Sequence, residues 1–190
     1  MRATSVTTGE VRLSYPNLFT PKATQLTPDP RFSCDLLIPK TDAKTLADIQ
    51  AAMKAAIEEG KDKTWGGQIP KSYKTPIKDG DESDDPNYKG HWILHPWSKA
   101  EYPPKVMDGQ LNPIIDQSEI YGGVYARVNI NFYIYNSNGV KGVGCGFDAG
   151  VVKTRDGEPF GGGRTSAEDA FGAPAQTAGQ AINPLTGMPY

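Results

Sequence analysis

The 190-residue sequence holds only two cysteines, Cys34 and Cys145, and two histidines, His91 and His95. Thiols so far apart make no disulfide framework and read as two buried free thiols of a reducing compartment. The histidines lie four apart, which would suit zinc on a helix. Trp92, Ile93, Leu94 and Pro96 around them read as a strand instead, where four residues separate the rings by about 13 Å. No HExxH and no GxxxxGK[ST] occurs, and Gly142-Val-Gly-Cys-Gly lacks the spacing and following helix of a dinucleotide loop. Neither histidine stands in a nucleophile context, so a catalytic triad is not indicated. No apolar run approaches the roughly 18 residues of a membrane span, and MRATSVTTGE lacks the apolar core of a secretory signal. Neither sign of charge dominates: 20 Lys and Arg stand against 22 Asp and Glu, a net charge of −2. That argues against a blanket-basic duplex binder but leaves room for a local basic groove. These absences describe a cytosolic, non-membrane, non-enzymatic protein without a cofactor, and 37% hydrophobic residues suffice for one ordinary domain.

What is present centres on the stretch from Val124 to Tyr135, which alternates without a break. Val124, Ala126, Val128, Ile130, Phe132 and Ile134 share one face; Tyr125, Arg127, Asn129, Asn131, Tyr133 and Tyr135 share the other. The pattern predicts a long β-strand with its first face in a core. The second face carries rings, a guanidinium and amides where a solvated face would carry Lys, Glu and Thr. Same-face neighbours on a strand stand roughly 6.6–6.8 Å apart, more than the roughly 3.4 Å step of stacked bases. Such a face suits a single strand with its bases spread out, or serves as a half-buried second face of good strand-forming residues.

Other elements follow from local signals. Gly9 to Tyr15 predicts a first strand ended by Pro16, with Arg12 on its polar face. Phe32 to Ile38 predicts a second. Thr41 or Asp42 caps a helix with Leu46, Ile49, Met53, Ala56 and Ile57 on one stripe, and Gly60 closes it. Residues 61–90 read as a long polar connection, and His91 to Trp97 as a further strand. Asn136-Ser137-Asn138-Gly139 forms a hairpin turn, returning through Val140 to Phe147 with Gly142, Gly144 and Gly146 on one face. Glycines so placed admit close approach by a ligand or a packed neighbour. Cations interleave with rings at Lys71, Tyr73, Lys74 and Lys78, at Trp97 with Lys99, and at Tyr102 with Lys105. From Gly161 onward the composition cannot bury a core. The division expected is a nucleic-acid-binding domain at 1–164 and a low-complexity, flexible C-terminal tail at 165–190.

Several of these segments resemble a family of tailed-phage single-stranded DNA-binding proteins, formerly a domain of unknown function and similar in role to the single-strand binder of T7-like phages. The resemblance rests on Leu13-Ser-Tyr-Pro-Asn-Leu-Phe, Phe32 to Lys40 before a helix, and Tyr121-Gly-Gly-Val-Tyr-Ala-Arg-Val. It continues in Lys141-Gly-Val-Gly, Asp156-Gly-Glu-Pro-Phe and Ala167-Glu-Asp-Ala-Phe. It implies an OB-fold and sequence-independent single-strand binding in phage DNA replication or recombination, in the host cytoplasm. The tail departs from the strongly acidic ends of such binders, holding only Glu168 and Asp169. The expected fold is therefore mainly β, a five-stranded Greek-key OB barrel with one helix and long loop insertions. Residues expected to touch nucleic acid are Tyr125, Arg127, Asn129, Asn131, Tyr133, Tyr135, Lys141, Lys71, Tyr73, Lys74, Trp97, Lys105 and Arg12. Single-stranded DNA is the expected partner, with other phage replication proteins and a second copy of the chain as further candidates. Two rivals remain: a virion or assembly β-sandwich using the tyrosine face as a protein interface, and a metal-dependent nuclease using the Asp79–Asp85 carboxylates.

Overall fold

Alternating apolar residues build a barrel in the computed structural model, which describes residues 1–161. The expected tail at 165–190 lies outside the described residues. Strand β1 is Ser5–Thr7, β2 Val11–Lys22 and β3 Arg31–Pro39, followed by helix α1, Ala43–Thr64. Then come β4 Ile77–Asp79, β5 His91–Leu94, β6 Trp97–Lys99, β7 Lys105–Met107, β8 Tyr125–Ser137 and β9 Val140–Arg155. Among the described residues no helix is long and apolar enough to cross a membrane.

Five of these strands close a ring. β2 pairs antiparallel with β3, β3 with β6, and β6 runs parallel to β9. β9 pairs antiparallel with β8 along its whole length, and β8 returns to β2. This is the Greek-key barrel of the OB-fold. The short strands decorate it: β1 continues the edge of β8, β7 lies beside β9, and β5 with β4 extends along β3. Val11, Leu13, Leu36, Val124, Ala126, Val128, Ile130 and Val151 fill the interior, each fully buried. Cys34 and Cys145 are buried free thiols whose ionisation burial disfavours strongly.

The structure corrects the sequence at several boundaries. Pro16 does not stop the first strand. Ser14 pairs with Asp35 and Asn17 with Ser33, so β2 spends three residues where β3 spends two. Pro16 falls in that bulge, where no ladder hydrogen bond is asked of its nitrogen. Gly60 does not close the helix, which runs four residues further. A Cβ on Gly60 would come 2.7 Å from Ile134 Cγ1, so glycine there lets α1 lie close against β8. The Asp42 cap is as expected, its carboxylate accepting from the Thr45 amide at 3.0 Å. His91 to Trp97 is two strands, broken at His95-Pro96. The 61–90 connection is more ordered than expected: it contains β4 and two single 3₁₀ turns capped by Asp79 and Asp85. Lys40 Nζ bridges Asp79 and Asp81 at 2.6 Å each, and Asp81 also accepts from the Gly90 amide. Those carboxylates organise the loop. The hairpin turn is as expected, with Asn138 and Gly139 at φ of 50° and 83° joining Ser137 to its partner Val140.

Candidate nucleic-acid interface

Pairing register places one row of residues across the outside of the barrel. Asn17 faces Ser33, Ser33 faces Trp97, and Trp97 faces Gly146 on β9. On the neighbouring β8, Tyr133 lies opposite Gly144 and Tyr135 opposite Gly142. A Cβ built on either glycine would run into the tyrosine ring across from it. The two rings therefore lie down on the bare backbone of β9, with their free sides toward solvent. Burial raises the Tyr133 phenol above its ordinary value. Beside them the Arg31 guanidinium sits 3.8 Å over the Trp97 ring.

These groups floor a groove of about 900 Å³. Its walls are the β2–β3 connection around Lys22 to Thr27, the segment Lys74 to Lys78, and the end of the β8–β9 hairpin. Lys22, Arg31, Lys74 and Lys78 line it, and among the described residues no carboxylate does. None of these four cations has an ion-pair partner among the described residues. In a chain of net charge −2 this is a local concentration of positive charge beside half-buried aromatic rings that line an open groove. It also occupies the surface on which OB barrels take up oligonucleotides, the second and third strands of the ring with their adjoining loops.

Of the residues expected from sequence, Tyr133, Tyr135, Lys74 and Trp97 come together here. Others are used elsewhere. Asn129 Nδ2 donates to Thr7 Oγ1 and the Val6 carbonyl, while its Oδ1 accepts from the Ala149 amide. Asn131 accepts from Thr4 Oγ1. Both amides thus tie β1 and the β9 bulge to β8. Arg127 donates to the Thr8 carbonyl at the same seam. Arg12 donates to the carbonyls of Gly123 and Glu158 and lies between the rings of Phe160 and Tyr125. Arg155 covers Tyr125 from above at 3.6 Å. Tyr125 is thus one layer of a stack that holds the 157–160 segment to the barrel. Tyr73 packs its ring 5.4 Å from Trp65, and Lys141 donates to the Trp65 carbonyl. Lys71 is exposed ahead of the groove wall, and Lys105 is exposed on β7, whose pairing partner is Gly150. Lys78, which the sequence already grouped with Lys71, Tyr73 and Lys74, lines the groove as well, whereas sequence reasoning passed over Lys22 and Arg31. Lys22 and Arg31 look like ordinary turn cations until β2 and β3 are paired, where they stand directly opposite each other.

Residues 4–181 match the family model described as Enterobacter phage Enc34, ssDNA-binding protein. The chain belongs to this family. Within reach of it, protein p50 of Acyrthosiphon pisum secondary endosymbiont phage 1 is 31% identical over 171 residues, covering 85% of this chain and 89% of that protein. The single-stranded DNA-binding protein from bacteriophage Enc34, solved in complex with ssDNA, is similar with a TM-score of 0.68 at 27% identity. That match covers 84% of this chain and 91% of the Enc34 chain. The fold, at 19% identity, is also that of gp2.5, a single-stranded DNA binding protein encoded by bacteriophage T7, with a TM-score of 0.57 over 90% and 96% of the two chains.

Two substitutions separate the groove from the rest of the outer face. Gly144→Val should push the Tyr133 ring off β9 and weaken nucleic-acid binding about as much as removing the ring, read by anisotropy with a labelled oligonucleotide. Tyr125→Ala should leave affinity per folded molecule unchanged and lower stability by roughly 1–2 kcal/mol, because it removes the ring from the Arg12 and Arg155 stack. Thermal melting measures the second effect.

Proposed function

We propose that this protein coats single-stranded DNA without regard to sequence during phage DNA replication and recombination, in the host cytoplasm, as a non-enzymatic binder that needs no cofactor. The observation that carries the reading is the acid-free groove, in which Lys22, Arg31, Lys74 and Lys78 stand beside Trp97, Tyr133 and Tyr135. Bases stack on the rings because every base offers a π-face, and the cations meet phosphates. Few groups in the groove are placed to read base edges, so the preference is for single strands and not for one sequence. Family membership and the likeness to an Enc34 protein solved with ssDNA support the same reading. We also take 1–164 as the binding unit and 165–190 as an appended tail, with other phage replication proteins and a second copy of the chain as further partners.

Titration of labelled oligo-dT at several salt concentrations tests it. Log affinity should fall linearly with log salt, each phosphate contact contributing a slope of about −0.7 on a single strand. Lys74→Ala should flatten the slope by about that amount. A defined duplex preferred over oligo-dT by orders of magnitude, or binding insensitive to salt, would refute the reading.

A further inference from the structure

By alternation Tyr15 should follow Val11 and Leu13 into the core. It does not: the bulge between Ser14 and Asn17 turns it out, leaving the residue 70% exposed at φ of 46°. Both features work against stability. A bulky residue in the left-handed region is an outlier that costs of the order of 1–3 kcal/mol, and a phenol ring in water gains nothing from burial. Glycine or asparagine would make the same bulge with less strain. Among the described residues the ring stacks on no other ring and its hydroxyl has no partner. An exposed, strained aromatic with no ring partner and no hydroxyl partner among the described residues calls for a ligand.

Its position supplies one. Asn17, two residues on, lines the groove, and its Nδ2 donates to the Tyr15 carbonyl at 3.3 Å, tying the bulge to the groove wall. Ser33 separates Asn17 from Trp97 in the same cross-strand row, so the bulge lies about two strand spacings, roughly 10 Å, from the Trp97 strand. That is about three times the step of stacked bases, so the two rings would serve different nucleotides of a spread strand. Electrostatics favours this exit from the groove over the other. A second cavity of about 750 Å³ adjoins the groove at Pro76, Lys78 and His95, but Asp35, Asp79 and Glu82 line it. Carboxylates there repel phosphates.

We propose that Tyr15 is a further base-stacking residue, carrying the single strand out of the groove over β2. The proposal rests on the single-strand reading above. It deepens that reading by adding a nucleotide position beyond Trp97.

Full-length protein and the variants Tyr15→Ala, Tyr15→Gly and Tyr15→Phe should be titrated with labelled oligo-dT of graded length. Ala and Gly should each weaken binding of the longer oligonucleotides about tenfold and leave the shortest bound fragment unaffected. Phe should bind like the parent. Gly should also raise the melting temperature while lowering affinity, because it relieves the strain and removes the ring together. In parallel, photo-cross-linking of the unaltered protein to dT carrying 5-iododeoxyuridine should label Tyr15, which needs no variant to fold. If Ala and Gly bind every length as the parent does, and cross-links fall only at Trp97 and Tyr133, Tyr15 has no such role while the single-strand reading stands. A change in self-association alone, without a change in affinity, also overturns it. A parent protein that binds no oligo-dT overturns both.

Discussion

Replacing Trp97 and Tyr133 together by alanine should weaken oligo-dT binding by two orders of magnitude or more. Each base–aromatic stack is worth roughly 1–3 kcal/mol, and about 1.4 kcal/mol is a tenfold change. Single replacements should therefore cost about tenfold each. Trp97 pairs with Gly146, and the Tyr133 ring lies over Gly144 and reaches toward Gly146, so the two sites are neighbours and the double variant need not equal the product of the singles. Both side chains are on the outside of the barrel and neither belongs to its buried core. Far-UV circular dichroism should consequently stay native-like, with a loss of stability of the size expected for Tyr125→Ala, because Arg31 loses the Trp97 ring and β9 loses the Tyr133 ring. A double variant that still binds within twofold of the parent would move the interface elsewhere on the molecule.

The opposite result is expected three residues away. Ile130→Ala should destabilise the fold by about 2–5 kcal/mol through the cavity it opens, measured by denaturant unfolding, with affinity per folded molecule unchanged. Ile130 is fully buried, points into the barrel, and pairs with Phe147 beside the bulge in β9. The strand thus carries two separable properties on its two faces. Loss of affinity in folded Ile130→Ala would mean that the groove geometry depends on core packing.

That division of faces was legible in the alternation of Val124 to Ile134, and every inward residue up to Phe132 is buried. The outward face was less so. It looks uniform in sequence, yet the chain divides it by what lies across from it. Ser5 and Thr7 of β1 cover Asn131 and Asn129, Gly144 and Gly142 underlie Tyr133 and Tyr135, and the 157–160 segment claims Tyr125. Those partners lie up to 126 positions away in the pairing of Ser5 with Asn131, and periodicity carries no information about them. Gly142, Gly144 and Gly146 of β9 were readable as a place of close approach. Whether a ligand or a side chain approached depended on the register of the hairpin, which the tyrosines settle. Pro16 misled for a related reason: a proline ends a strand only where the ladder needs its amide, and the bulge at Tyr15 removes that need.

The ring closes between strands remote in the chain: Val11 meets Ala126, and Trp97 meets Gly146. The groove itself draws on residues from Asn17 to Cys145. A nascent chain that has reached Asn138 has made β2, β3, β6 and β8, yet lacks the strand that joins the last two and supports the tyrosines. Chains elongate at about 5–20 residues per second, so β9 follows within seconds and completes barrel and groove in one stroke. Unfinished protein on the ribosome thus has no formed groove with which to compete for the ligand of the finished molecule.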